Sequence, residues 1–261
     1  MKAYNPKERS IAFFERRASP AFWDAHWKME DLATRVREVR SDALFIPAVK
    51  RYLPKQSRVL EGGCGRGQLV YALQQQGYTG VGIDFACRTV CTVARAVPEI
   101  TVFAGDVRHL PFRDGTFDGY ISAGVIEHFW EGYAGILSES ARALRAGGYL
   151  FVSFPYMSPL RRFKAMVRAY ESEYTKEVVE DFYQFALDRK RVISDSVSRG
   201  FSLVESKPFD GIKGFKDEIV LFRQHLQRIY DGKAHPTLRP LVDRLLRRFA
   251  AHMMLLVLRR E

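Results

Sequence analysis

The chain has 261 residues, of which 47% are hydrophobic, 27% charged and 13% aromatic. This composition is ordinary for a globular enzyme and excludes collagen-like, intrinsically disordered and disulfide-stapled proteins. The net charge of +11 lies in the flanks: residues 1–60 hold 13 basic and 7 acidic residues, 61–150 hold 7 and 9, and 151–261 hold 21 and 14. The flanks therefore carry any attraction to anions, and the sequence leaves open a solvated basic surface, an anionic substrate, a membrane surface or RNA.

The sequence shows neither a membrane span nor a targeting signal. No apolar run approaches the roughly 20 residues that cross a bilayer. Residues 1–17 carry scattered charges, so we expect no secretory signal. The three cysteines, Cys64, Cys87 and Cys91, are few and odd in number, which favours a reducing cytoplasm.

Residues 1–54 are predicted to form an N-terminal helical cap. Helices are expected over 29–40 and 41–53, and Pro54 ends the second of them because proline cannot continue a helix.

From Arg58 the pattern changes to short apolar runs that alternate with helix-length segments, including 69–76 and 133–144. This alternation is typical of βαβ units around a parallel sheet with helices on both faces. The strands are predicted over 58–63, 79–85, 100–106, 117–124 and 148–155.

After Pro155 this rhythm ends. Residues 156–190 are basic, aromatic and partly helical in pattern, and the sequence predicts further elements downstream. They are a helix over 190–199, a strand over 201–209, mostly helical residues over 215–250 and a last strand over 252–261.

The most informative stretch is a glycine-rich loop between the first strand of this series and the following helix, with the sequence VLEGGCGRGQL over 59–69. Glycines allow left-handed backbone angles and remove Cβ atoms, so a ligand can lie against the main chain. A dinucleotide fingerprint needs Gly-x-Gly-x-x-Gly, but Gln68 occupies the place of its last glycine. A phosphate-binding P-loop would need Gly-Lys-Ser/Thr, which the loop lacks.

Acidic residues follow the loop at the ends of successive predicted strands. Asp84 lies 23 residues after Glu61, where a carboxylate can accept hydrogen bonds from a ribose diol. Asp106 can accept a hydrogen bond from an exocyclic amine, while the Val107 amide can donate to a ring nitrogen. Each acid alone is more often a loop cap, but three of them beside a glycine loop indicate a ligand site at the carboxyl edge of the sheet.

Together with AGDVRHLPFRDGTFDGYISAGVIEHF (104–129) and LRAGGYLFVSFP (144–155), these motifs resemble class I S-adenosylmethionine-dependent methyltransferases. The nearest pattern is that of small-molecule enzymes similar to ubiquinone-biosynthesis and sugar or natural-product methyltransferases. The resemblance is close over 55–155 and loose over 182–209 and 252–261. It implies an α/β, Rossmann-like fold: a seven-stranded, mostly parallel sheet with one antiparallel strand and helices on both faces.

The resemblance also implies the domain organisation and the cofactor. Residues 55–261 would form the methyltransferase domain, with acceptor-side insertions at about 156–190 and 210–250. The cofactor would be S-adenosyl-L-methionine and the product S-adenosyl-L-homocysteine. Asp84 would take the ribose, Phe85 would lie near the adenine, and Asp106 and Val107 would contact the adenine. The residues around the methionine moiety would be Glu61, Gly63, Gly65, Gly67, Ser122 and Ala123.

One position departs from the pattern implied by the resemblance. Gly62 stands where the family usually has an apolar residue, which leaves a smaller side chain beneath the loop.

His128, within Ile126-Glu127-His128-Phe129, is the candidate general base because imidazole titrates near neutral pH. The sequence leaves open whether it is instead a packing residue beside the cofactor. Some quinone-pathway relatives place a metal on Glu-x-x-Glu-His, but the first position here is Gly124, so we expect no divalent metal.

Three further features have both a structural and a functional interpretation. Cys87 and Cys91 lie on one helix face without further zinc ligands, which favours buried packing. The aromatic run Phe22, Trp23, His26 and Trp27 is consistent with a lid over the cofactor or with a docked amphipathic helix. The basic segment 160–170 is consistent with a solvated helix face or with recruitment of an anionic or membrane-bound acceptor.

We therefore expect a methyltransferase that acts on an oxygen or nitrogen of a small-molecule acceptor, including anionic or lipid-linked ones. An RNA methyltransferase and a catalytically inactive binding subunit are the alternatives. Exocyclic base methylation is disfavoured because Ser122–Val125 replaces the Asn/Asp-Pro-Pro-aromatic run of such enzymes, so a nucleic-acid partner is not expected. The sequence leaves the acceptor and the oligomeric state open.

Overall fold

The computed structural model describes residues 1–15, 17–27, 31–38, 44–172, 179–233 and 237–261. Ten strands are described: β1 Lys2–Asn5, β2 Ser10–Phe14, β3 Arg58–Gly62, β4 Thr79–Asp84, β5 Thr101–Ala104, β6 Phe117–Ala123, β7 Leu144–Pro155, β8 Phe182–Ala186, β9 Phe201–Phe209 and β10 Met253–Arg260. The described α-helices are α1 Pro20–His26, α2 Leu32–Arg37, α3 Phe45–Tyr52, α4 Gln68–Gln75, α5 Cys87–Ala96, α6 Ala134–Ala143, α7 Pro159–Met166, α8 Arg189–Val197, α9 Gly211–Glu218, α10 Arg223–Tyr230 and α11 Arg239–Ala250. Short 3₁₀ turns cover Ile126–His128 and Val220–Phe222.

Seven strands form one sheet in the order β5-β4-β3-β6-β7-β10-β9. The sheet is mostly parallel with one antiparallel strand, as predicted. Gly62 of β3 pairs with Ile83 of β4 and with Ser122 of β6, while Asp84 pairs with Ala104 of β5. The carboxyl ends of these four strands therefore meet at one edge of the sheet, where open α/β sheets bind ligands.

Contacts between residues define two compact units within the chain. The first, here called the glycine-loop unit, comprises residues 18–152, 194–204 and 256–261. Its β3, β4 and β6 are parallel strands that are buried over most of their length. A core cluster joins α2, α4 and α5 with the glycine loop and consists of Leu32, Val36, Cys64, Val70, Val93, Val97 and Ile100.

The second unit, here called the hairpin unit, comprises residues 1–17, 153–193 and 205–255. Strands β1, β2 and β8 form a separate three-stranded antiparallel sheet. The β1–β2 turn is closed by Asn5, whose Oδ1 accepts hydrogen bonds from the backbone N–H groups of Lys7 and Glu8. Helices α9 and α11 pack so closely that a Cβ on Gly214 would lie 1.7 Å from the Ala250 carbonyl oxygen. That position requires glycine.

The structure confirms the predicted strands of the main sheet to within a few residues and extends β7 toward its N-terminus, to Leu144. The helical interpretation of the N-terminus is wrong for residues 2–14, which form β1 and β2. Within the segment 156–190, which was expected to be partly helical, residues 182–186 form a strand that pairs with β2.

Several expected helices lie partly outside the described residues. Of the predicted helix over 29–40 the structure describes α2, and of the one over 41–53 it describes α3. Parts of the predicted segments 156–190 and 215–250 likewise fall at 173–178 and 234–236. Among the helices in the described ranges, none is both long enough and apolar enough to cross a bilayer.

Candidate functional site

The glycine loop connects the end of β3 to the start of α4. Gly63, Gly65 and Gly67 have φ angles of +77°, +48° and +70°. These angles lie in the left-handed region, which glycine adopts without the Cβ clash of other residues. A Cβ on Gly63 would also lie 2.4 Å from Val125. The alternating glycines are therefore required by backbone geometry and by close packing at this turn.

Asp84, at the end of β4, fastens this loop. Its Oδ2 accepts a hydrogen bond from the Gly65 N–H at 2.8 Å, and its Oδ1 accepts one from the Ala86 N–H at 2.8 Å. Burial raises the pKa of Asp84, although these N–H donors oppose the rise. A carboxylate offers about four lone-pair positions, so Asp84 can accept from the backbone N–H groups of Gly65, Ala86 and Phe85 and still accept a hydrogen bond from a ligand hydroxyl. Phe85 follows it, half-buried.

Helix α1 is attached beside Asp84. Asp24 Oδ1 accepts hydrogen bonds from the Thr89 N–H at 2.8 Å and from the Thr89 hydroxyl at 2.9 Å, within the first turn of α5. The Asp24 carboxylate also contributes to raising the pKa of Asp84, after burial. Two carboxylates thus lie at the same edge of the sheet, and a hydrogen-bond donor such as a ribose hydroxyl would be favoured there.

An aromatic cluster from α1 covers the loop. A Cβ on Gly65 would lie 2.9 Å from Trp27 Cζ2, and the Arg66 guanidinium lies 5.3 Å from the centroid of the Trp27 ring. Trp27 stacks on Trp23 at 5.9 Å, and Trp23 meets His128 edge-on at 5.1 Å. Through Trp23 and Trp27 the cluster connects His128 with the glycine loop. None of the seven α1 residues is fully buried, but Phe22 and Trp23 are half-buried and α1 contacts α5. The lid and the docked amphipathic helix therefore both stay predictions.

Asp106, two residues beyond the end of β5, is held by Arg108. The Arg108 guanidinium donates to both carboxylate oxygens at 2.7–3.1 Å, and the Arg108 N–H donates to Oδ1 at 2.8 Å. Burial by itself would raise the pKa of Asp106, but Arg108 lowers it. Asp106 is thus an ionised turn cap, and each of its carboxylate oxygens receives two hydrogen-bond contacts from Arg108. Val107, next to it, is buried.

The end of β6 carries two buried polar groups. Ser122 Oγ and Glu127 Oε2 have no hydrogen-bond partner within the described parts of the chain. Burial raises the pKa of Glu127 to about 8, so this carboxyl is largely protonated at neutral pH. Gly124 makes the turn between them with φ +68°, and Ala123 is half-buried beside it. Buried polar atoms are normally satisfied, so these two oxygens are candidates for contact with a polar ligand.

The sequence analysis did not single out Glu127 as a functional residue. The only signal was a glutamate three residues after Gly124, at the end of a buried strand, where an exposed glutamate would be ordinary. Its burial follows from the 3₁₀ turn Ile126–His128, which places both Ile126 and Glu127 inside.

The structure also explains the departure at Gly62. A Cβ there would lie 2.2 Å from the hydroxyl oxygen of Tyr120. The Tyr120 ring on β6 is fully buried and fills the space that an apolar side chain at position 62 would occupy. Tyr120 of the neighbouring strand therefore fills the space left by the absent side chain at position 62.

The cysteines divide into one buried thiol and two exposed ones. Burial raises the pKa of Cys64 well above its usual value, and the carboxylates of Glu61 and Asp84 add to the effect, so this thiol is unreactive. Glu61 is itself buried beneath the loop. The prediction of buried packing is wrong for Cys87 and Cys91, which are exposed, because α5 buries Thr89, Val90 and Val93 instead.

Comparisons with known proteins agree with this geometry. Residues 60–152 match the family model of a methyltransferase domain. A probable S-adenosylmethionine-dependent methyltransferase of Mycolicibacterium smegmatis is 35% identical over 97 residues, which are 37% of each chain. A phthiotriol/phenolphthiotriol dimycocerosates methyltransferase of Mycobacterium ulcerans is 34% identical over 36% of this chain and 35% of its own length. The match thus spans little more than a third of these curated relatives.

Among solved structures, an S-adenosylmethionine-dependent methyltransferase from Mesorhizobium loti superposes with a TM-score of 0.54 and 17% identity, over 82% of this chain and 96% of that one. At this identity the likeness shows a shared fold. The family model, the curated relatives and the shared fold together support a class I S-adenosylmethionine-dependent methyltransferase domain in the central region of the chain. S-adenosylmethionine is the cofactor that this class of domain uses.

Proposed function

We propose that this protein transfers a methyl group from S-adenosylmethionine to an oxygen or nitrogen of a small-molecule acceptor. The observation that carries the proposal is the glycine loop held in its left-handed geometry by Asp84 at the carboxyl edge of the sheet. The orphaned Ser122 and Glu127 oxygens beside it support the fit of a polar ligand. The cofactor supplies a methyl group on a positively charged sulfur.

The residues of the chain have distinct roles in this proposal. Asp84 accepts hydrogen bonds from the ribose hydroxyls, and the bared backbone at Gly63 and Gly65 receives the methionine end. Asp106 accepts a hydrogen bond from the adenine while Arg108 fixes its orientation. Trp27 excludes water above the loop. Alignment in such an enclosed site can supply on the order of 7 kcal/mol of rate acceleration.

Two side chains are candidates for accepting the acceptor's proton. His128 lies under Trp23, at the aromatic cluster that covers the loop. Glu127, with a pKa raised by burial to about 8, is the second candidate because a base is most effective when its pKa is near the working pH. We assign the role to His128, since it is the more exposed of the two and can reach an acceptor without opening the core.

The acceptor class is inferred from charge and from the relatives. The Mycobacterium ulcerans relative is named for phthiotriol and phenolphthiotriol dimycocerosates, which favours a lipid-linked acceptor here as well. Segment 160–170 exposes Phe163, Met166 and Val167 and the cation Arg168, and these would bring the enzyme to a membrane or to an anionic acceptor. Its other three cations are held internally, Arg161 and Lys164 by Glu218 and Arg162 by Asp188. Free thiols at all three cysteines support a reducing, cytoplasmic setting.

The test is direct. Calorimetric titration of the full chain with S-adenosylmethionine and with S-adenosylhomocysteine should show one site for each compound. Acceptors are then screened with a labelled methyl group, and lipid, sugar and quinone-type hydroxyl compounds and amines are compared with RNA. Absence of binding for both compounds would refute the proposal. Binding without transfer to any acceptor would favour an inactive binding subunit, and salt-sensitive transfer to RNA would favour the RNA alternative.

The assignment of the base is tested by His128→Ala. Turnover should fall by roughly 100-fold or more, as expected for loss of general-base catalysis, while cofactor affinity changes little. The lost rate should return partly at higher pH, where the acceptor ionises by itself. A wild-type rate at every pH would exclude His128 as the base and leave Glu127 as the candidate.

A further inference from the structure

Helix α11 in the hairpin unit carries two apolar stripes, and only one of them packs inside. Val242 and Leu246 pack against the core cluster around Ile212. The other stripe, Leu241, Leu245 and Phe249, is exposed, and Leu245 has 67% of its surface open. A spacing of four residues places these side chains on one face of the helix. Folding of α11 onto its neighbours therefore leaves a complete apolar stripe outside.

Two neighbouring segments repeat this feature. The turn Val220–Phe222 exposes all three of its apolar side chains, with 85% of Leu221 open. Helix α7 exposes Phe163 and Met166, the latter at 72%. Helix α7 contacts both α9 and α11, and the turn contacts α9 and α10. The three segments belong to the same unit. Single exposed apolar residues are ordinary on a protein surface, but a group of this size is unusual and indicates an interaction site.

The charge around these segments is strongly positive. Residues 211–250 contain nine basic and four acidic residues. Three of the four acids are held internally: Asp217 by Lys213 and Lys216, Glu218 by its cluster of cations, and Asp243 by the Ile212 N–H. The exposed basic residues on and around the segments are Arg168, Arg223, Arg228, Lys233, Arg239, Arg244 and Arg248.

We propose that α7, the turn Val220–Phe222 and α11 form a docking surface for an anionic membrane. Exposed apolar chains enter the boundary between headgroups and acyl chains, and the surrounding arginines bind the anionic headgroups. The two contributions are required together, since neither a few exposed apolar side chains nor a positive surface by itself holds a protein firmly on a bilayer. The surface extends the contact proposed for segment 160–170 and does not depend on methyl transfer or on cofactor binding.

Charge favours this occupant over a second copy of the chain. Two copies joined through this surface would bring both sets of exposed arginines, including Arg244 and Arg248, into one interface, and described acids do not lie exposed on α11 to compensate. Like charges facing one another oppose association. An anionic lipid surface matches both the apolar and the basic part of the surface.

The experiment is sedimentation of the full chain with vesicles of phosphatidylcholine alone and of phosphatidylcholine with phosphatidylglycerol. We expect binding to the anionic vesicles alone, weakened strongly by added salt. The affinity of the variant L221S/L245S/F249S for anionic vesicles should fall by at least about tenfold, because the apolar contribution is lost. The variant R244E/R248E should show a similar loss through charge alone.

The matched control variants carry the same kinds of substitution, but at positions outside the proposed docking surface. V197S/L203S removes two exposed apolar side chains outside the surface, and K50E/K55E reverses two exposed charges elsewhere. Both should bind anionic vesicles like the wild type. Thermal unfolding and calorimetry with S-adenosylhomocysteine check that every variant folds and keeps its cofactor site, so that a failure of the proposed function is seen separately.

Two outcomes would overturn the proposal. In one, the wild type does not sediment with anionic vesicles, or the surface variants bind these vesicles as strongly as the control variants do. In the other, light scattering shows a dimer that L221S/L245S/F249S dissociates, which would assign the apolar stripe to a second copy of the chain.

Discussion

The glycine-loop unit and the hairpin unit hold their buried charges in different ways. In the glycine-loop unit, Asp84 is held by backbone N–H groups at most 19 residues away along the chain. In the hairpin unit, Glu218 is held by side chains that are 216 and 57 residues distant, Lys2 at 2.9 Å and Arg161 at 3.2 Å. Lys164 at 2.8 Å and the Tyr170 hydroxyl at 2.8 Å complete the set.

This difference separates a local site from a cluster that exists only in the folded unit. A carboxylate bound by the backbone of its own loop can be foreseen from spacing, since the loop and the strand end are parts of one βαβ unit. The Glu218 cluster depends on the N-terminal strand, α7 and the end of α9 meeting. Burial alone would raise the pKa of Glu218, but Arg161, Lys2 and Lys164 lower it to about 2.

The largest effect should therefore come from Glu218→Gln. Removing the carboxylate leaves Arg161 buried beside Lys2 and Lys164 without a counter-charge, and we expect a loss of roughly 3–5 kcal/mol in the free energy of unfolding. Because the pKa of Glu218 is lowered by folding, its stabilisation is full above the ordinary carboxyl value of 4.5 and is lost as pH falls toward 2. Denaturant unfolding at several pH values measures both.

The control for Glu218 is Glu99→Gln, which breaks the exposed pair with Arg37. Exposed pairs add little to stability, so this variant should stay close to the wild type. Should Glu218→Gln be as stable as Glu99→Gln, the cluster would not hold the hairpin unit together and the contrast between the units would fail.

The packing beneath the glycine loop can be tested by Gly62→Ala. The new Cβ would press on the Tyr120 hydroxyl, and overpacking of this kind destabilises by roughly 1–3 kcal/mol. In the double variant with Tyr120→Phe the oxygen is gone, so part of the loss should return. Gly135→Ala is the matched control, since its Cβ has only one neighbour, at 3.9 Å. If Gly62→Ala lowers the free energy of unfolding equally with and without the Tyr120 hydroxyl, Tyr120 does not fill the space beneath Gly62.

Cofactor recognition by the loop should respond to Asp84→Ala. Loss of hydrogen bonds to the ribose should lower the affinity for S-adenosylhomocysteine by roughly 1–3 kcal/mol in calorimetry. Asp118→Ala is the control because Asp118 also accepts from a backbone N–H, that of Arg58 at 2.7 Å, but near the start of β6. Unchanged affinity in the Asp84 variant would remove this residue from the site.

An effect that depends on pH is expected for Glu127→Gln. The pKa of Glu127 is raised by burial to about 8, so the folded protein keeps a proton that the unfolded chain loses above about pH 4.5. Between these values wild-type stability should fall by at most about 1.4 kcal/mol per pH unit, and Gln should remove that decline. Unfolding curves at pH 5, 6.5 and 8 provide the measurement. Identical slopes in both proteins would show that Glu127 is ionised in the fold.

Sequence reasoning succeeded where neighbouring residues decide the structure. The strand before the glycine loop, the loop itself and the acids at 84 and 106 were predictable because backbone angles and strand ends leave local signals. The β1–β2 hairpin was missed, although Asn5-Pro6 is a turn signal, because β2 is buried throughout and shows no alternation. The exposure of Cys87 and Cys91 was missed because helix spacing gives which residues share a face but not which face is buried.

The sequence by itself determined a parallel α/β domain with a glycine loop and acids at one sheet edge, because these follow from periodicity and from residues within one βαβ unit. The tertiary structure decided the rest. It placed Tyr120 beneath Gly62, brought Trp27 over Gly65, buried Glu127 and gathered cations around Glu218. Such contacts join segments far apart in the chain, and the packing of whole elements selects among the many pairings that the sequence allows.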